Sequence, residues 1–138
     1  MAKKLFILCL TAMLLSSCAA SKDNNKIHIL DIKTATGIDD KYMPIGVTKV
    51  FPAGTSRVFL WFSWNNAQKD TKIVARWYYV TDDIPVLDYT FVVPRKQGTG
   101  SVSLLMPEGK TLPPGFYRAT LEMEDKPLKS VTFKVSDK

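Results

Sequence analysis

The sequence predicts an all-β domain made of two antiparallel sheets packed face to face, and three observations predict it. Beyond Cys18 no segment keeps a helical apolar period over several turns. Apolar and polar residues instead alternate with a period of two, as in strands that bury one face. Clusters of Pro, Gly, Asp and Asn break the alternation at short intervals.

The chain is 138 residues, with 19 Lys and Arg against 13 Asp and Glu. Its first element is an address. Lys3 and Lys4 precede an uncharged apolar run, Leu5–Leu15, and Ser16, Ser17 and Cys18 follow. A basic start, a short apolar core and small residues before a cleavage point describe a secretory signal peptide over residues 1–17. As a helix that run would rise only about 16 Å, short of a bilayer core of about 30 Å.

Leu15-Ser16-Ser17-Cys18 resembles the lipobox of bacterial lipoproteins. The resemblance implies cleavage before Cys18 and a covalent lipid on Cys18, and two or more acyl chains anchor a protein stably. Ala19 after the cysteine resembles the pattern sorted to the outer membrane, on its periplasmic face, if the source is Gram-negative. Cys9 would leave with the signal, so the remaining chain would have no free thiol and no disulfide. Lys3 and Lys4 leave too, lowering the net charge from +6 to +4. Residues 18–25 are the lipidated cysteine and a short polar tether, whose seven residues Ala19–Asn25 reach at most about 25 Å.

Residues 26–138 then read as about seven strands. Lys26–Lys33 is the first, followed by a long turn-rich connection containing Gly37, Asp39, Asp40, Pro44 and Gly46. Arg57–Asn65 is the most apolar strand, and Lys72–Thr81 returns after a polar turn. Val86–Val93 places Leu87, Tyr89, Phe91 and Val93 on one face, and Pro94 stops it. Gly98–Met106, Phe116–Glu124 and Leu128–Val135 alternate in the same way. The spacing, with Trp77 beside Ile73 and Ala75 on the third strand, resembles an immunoglobulin-like or fibronectin-III-like β-sandwich. Pro113-Pro114-Gly115-Phe116-Tyr117 resembles the G-x-Y start of a late strand in bacterial sandwich domains.

Aromatic residues are the unusual feature. Phe59, Trp61, Phe62, Trp64, Trp77, Tyr78 and Tyr79 stand on two successive strands, expected to pair as a hairpin. Parity puts Val58, Leu60, Phe62 and Trp64 on one face and Phe59, Trp61 and Ser63 on the other. If Trp77 points inward, Phe59 and Trp61 would lie outside beside Arg76 and Tyr78, as a binding surface. The alternative is that another strand, the 37–50 segment or a second copy covers them.

The remaining chemistry is sparse. Asp39-Asp40 and Asp82-Asp83 match no calcium-loop pattern and suit turns, so no metal site is expected. His28 is the only histidine, and no G-x-S-x-G, H-E-x-x-H or phosphate-loop motif occurs. The expectation is therefore a non-enzyme without a cofactor other than the covalent lipid on Cys18. No basic run or aromatic RNA-binding motif points to nucleic acid. The expected partners are the membrane, through the anchor, and another envelope protein. Two alternatives are a carbohydrate-binding module stacking sugars on Trp61 and Tyr78, and a structural accessory subunit of an envelope complex.

Overall fold

The computed structural model describes residues 26–138. The expected signal peptide over residues 1–17, the expected lipid site Cys18 and the expected tether lie outside the described residues. Nine strands follow: β1 (His28–Ile38), β2 (Pro44–Val47), β3 (Val50–Phe51), β4 (Arg57–Asn65), β5 (Lys72–Tyr79), β6 (Ile84–Val92), β7 (Gly98–Leu105), β8 (Gly115–Met123) and β9 (Lys126–Val135). They form a four-stranded sheet, β2-β1-β4-β7, and a five-stranded sheet, β3-β9-β8-β5-β6. Among the described residues all pairings are antiparallel except β3 with β9. No helix of the described residues is long and apolar enough to cross a membrane.

The two strands beyond the expected seven, β2 and β3, sit in the segment that reads as a connection. Pro44 and Gly46 interrupt any alternation in β2, and β3 is only two residues long. Both are edge strands, and short edges discourage pairing with another chain.

A second correction concerns pairing. β4 and β5 are not a hairpin: β4 lies between β1 and β7, and β5 lies between β8 and β6. The polar stretch between them carries the chain from one sheet to the other. Parity still holds on each strand. Val58, Leu60, Phe62 and Trp64 of β4 are buried against Ile73, Ala75 and Trp77 of β5 in one core. Each Val, Leu, Ile or Phe side chain among them contributes about 1.5–3 kcal/mol when fully buried.

Two groups of aromatic rings tie the sheets together. Near Lys26, Phe91 of β6 meets Phe62 and Trp64 of β4 with centroids 5.2 and 5.7 Å apart. A glycine on β7 makes room: a Cβ on Gly100 would lie 2.7 Å from the Phe91 ring. In the second group Tyr117 stacks on Phe133 at 5.0 Å, and Phe133 is met edge-on by Phe51 and Trp77. Tyr117 donates its hydroxyl to the Pro113 carbonyl and Tyr79 to the Pro114 carbonyl, both at 2.5 Å. The two phenols thus fasten the Pro-Pro loop, in the manner of a tyrosine corner. Gly115 is required at that junction, because φ is +139° and a Cβ would lie 2.7 Å from the Tyr79 hydroxyl.

The sandwich has two distinct ends. Lys26 and Ile27 lie beside Lys72 and the Met123–Asp125 turn, which defines the proximal end. The distal end gathers the β5–β6 turn, the loop between β7 and β8, and the close of β9: Val80 N donates to Phe116 O, and Ser136 N to Phe51 O, each at 2.8 Å.

Candidate functional site

The four residues singled out as a binding surface do not come together. Phe59 and Trp61 face outward from the four-stranded sheet, and Arg76 and Tyr78 face outward from the five-stranded one. Trp61 is only 5% exposed. Its indole N–H donates to the Tyr42 carbonyl at 2.9 Å, and Lys33 Nζ lies 5.6 Å from the ring centroid. Tyr42 belongs to the 37–50 segment, so that segment covers the tryptophan. Phe59 is half-buried under the Arg57 guanidinium, 4.4 Å from its ring. Trp61 and Tyr78 stand on opposite sheets and share no stacking platform.

Arg76 is engaged within its own sheet. It meets Asp88 on β6 at 2.5 Å, Glu122 on β8 at 2.8 Å and Asp125 at 3.6 Å. The hydrogen bond that Arg76 donates to Glu122, then the charge of Asp88, raise its pKa further. This clamp ties β5 to both neighbours and leaves the middle of the face charge-compensated.

Toward the distal end the same face changes character. Register puts Val50, Lys134, Phe116 and Val80 in one row across the sheet, and Thr132, Arg118, Tyr78 and Pro85 in the next. Phe116 is 51% exposed and Val50 56%. Lys134 lies 5.7 Å from the Phe116 ring centroid, and Arg118 lies 4.8 Å from that of Tyr78. Among the described residues no carboxylate pairs with Arg118 or Lys134.

This surface continues around strand β6. Leu87, Tyr89 and Phe91 sit opposite Trp77, Ala75 and Ile73 and so share the inward face. Phe91 reaches the core, but Leu87 is 40% and Tyr89 52% exposed. Ile84, Val86 and Val92 are exposed as well. Val93 directs both its N–H and its carbonyl toward the β5 side. Two-residue alternation then turns those of Val92, Thr90 and Asp88 outward, leaving the edge unpaired. Pro85 has no N–H to lose on such an edge. A shallow groove of about 390 Å³ opens at the distal end between Ile84, Pro85 and Val86 on one side and Met106 and Leu112 on the other.

The acidic pairs serve turns. Asp39 Oδ1 accepts from the Lys41 and Met43 amides at 2.8 and 2.9 Å. Asp83 takes a left-handed φ of 59° between β5 and β6. Among the described residues no group of three or more His, Cys, Asp or Glu is placed to hold a metal.

The arrangement has a counterpart among solved structures. An immunoglobulin-like protein from Pseudomonas aeruginosa matches 81% of this chain and 98% of its own, with a TM-score of 0.57 and 16% identity. The fold is immunoglobulin-like. A fainter likeness, TM-score 0.49 and 12% identity, covers 79% of this chain and 30% of an alkylpurine DNA glycosylase from Pseudomonas fluorescens bound to DNA. At that score it carries no argument. No protein-family model and no curated protein matches the chain. The immunoglobulin-like sandwich hosts many unrelated activities, so its function has to be argued from its surface.

That surface was partly legible beforehand. The alternation of β6 puts Leu87 and Tyr89 on one face with Phe91, and no sequence feature shows that the opposite sheet stops short of the first two. Phe116 and Lys134 are not legible as a pair because they are eighteen residues apart in a chain where only register makes them neighbours.

Proposed function

We propose that the chain is a lipid-anchored lipoprotein of the cell envelope whose immunoglobulin-like sandwich is a non-catalytic module that binds another envelope protein. One observation carries this reading: apart from Phe91, strand β6 is exposed along its length, with Ile84, Val86, Leu87, Tyr89 and Val92 open beside an unpaired backbone edge. Free sheet edges flanked by apolar side chains are where partner segments add as further strands.

The anchor in this reading is Cys18, and the tether of residues 18–25 holds the proximal end close to the membrane. The distal groove and the far rows of the sheet then point into the envelope space. The test is photo-crosslinking in cells making the full chain, with the reactive residue at Leu87. Adducts with one other protein are expected, with the protein in the membrane fraction and Cys18→Ser releasing it. Absence of protein adducts at Leu87 and at every other exposed position would sink the binding role, and an unchanged membrane location of Cys18→Ser would sink the anchor.

A further inference from the structure

We infer that the distal rows of the five-stranded sheet receive an acidic polypeptide segment bearing apolar side chains, presented by the envelope partner. This rests on the protein-binding reading above and names the chemistry of that partner. The carrying observation is a contrast within one face. In the middle, Arg76 is matched by Asp88, Glu122 and Asp125. In the distal rows Arg118 and Lys134 have no carboxylate among the described residues and lie over Tyr78 and Phe116 instead.

Two further observations select the ligand. The floor between these cations is apolar and exposed, formed by Val50, Phe116 and Val80. A partner with charge alone would leave that floor wet, whereas one with both acidic and apolar side chains satisfies both parts. The patch also sits at the end away from the point where the chain begins its fold. Phe116 and Glu122 are six residues apart on β8, about 20 Å, and Glu122 is the one near Lys26. With the tether holding the proximal end, these cations face away from the membrane. Anionic headgroups are therefore the less fitting occupant.

Arg118 and Lys134 are solvent-exposed, so each pair they form is weak, and their role is to steer and orient. Phe116 is the residue that supplies contact area. The two contributions differ in their response to salt, because only the first is screened.

The test places the photo-crosslinker at Thr132, an exposed position beside Arg118, in cells making the full chain. Protein adducts are expected whose captured peptides are rich in Asp and Glu. Arg118→Glu with Lys134→Glu should cut the adduct yield at least about tenfold while the Leu87 probe still captures. Phe116→Ala should weaken capture at every salt concentration. Adduct yield unchanged by the charge reversal, captured peptides without acidic residues, or lipid adducts at Thr132 would each overturn the inference. Capture at Leu87 without capture at Thr132 overturns this inference alone, and silence at both overturns the protein-binding reading with it.

Discussion

Truncating Trp61 to alanine is expected to destabilise the fold by about 3 kcal/mol or more, because it removes a buried indole and its hydrogen bond to the Tyr42 carbonyl. A lower urea midpoint with a single cooperative transition is the measurement. An unchanged midpoint would mean that the 37–50 segment does not hold the ring. The residue shows where a sequence argument ends. Parity placed Trp61 on the outward side of its strand, and it is on that side. What covers it comes from a turn nineteen positions earlier, which β-strand periodicity does not describe. Tyr78 and Arg76 were legible as outward residues for the same reason. Their partners were not, since Glu122 and Asp88 reach Arg76 only through the register of β5 with β8 and β6.

At the scale of elements, all seven expected strands are present, with bounds shifted by a few residues. The strongest signals, clean alternation and Pro or Gly stops, gave firm bounds, as in Gly98–Leu105 ahead of Pro107. The pairing of the two most aromatic strands was not readable. Alternation dictates which face a side chain takes and is silent on which strand lies alongside. The turn between β8 and β9 offers a sharp test. Glu124 and Asp125 have φ of 53° and 66°, the left-handed pair of a tight hairpin; Asp tolerates that region, but Glu does not favour it, and Gly is better still at the second position. Replacing them by Asn-Gly should raise stability by up to about 1 kcal/mol, read as a higher urea midpoint. The Asp125 contact to Arg76, at 3.6 Å and largely exposed, is too weak to reverse that gain.

For the molecule as a whole, alkaline pH is the informative variable. Burial, and secondarily the neighbouring Tyr79, raise the Tyr117 pKa from its ordinary 10 to about 12. The neutral phenol is the form the fold favours, so its contribution is complete below pH 10. It is lost as pH rises from 10 to about 12. The urea midpoint should fall across that window, and Tyr117→Phe should flatten the fall. A phenolate titration of Tyr117 at the ordinary value would contradict this. The two-sheet architecture itself was readable from the chain, since strands with one apolar face each have few other ways to bury it. The overhang of β6 was not, because it depends on the relative widths of two sheets.

The position where β9 ends has a practical consequence. Val135 closes β9 one residue beyond Lys134, so whatever is fused after Lys138 emerges at the margin of the Phe116 row. A purification handle attached there would crowd the surface that a pull-down is meant to sample, and a weak partner would go undetected. A label carried at Gln68 or Lys69, exposed at the opposite end of the sandwich, leaves that surface clear.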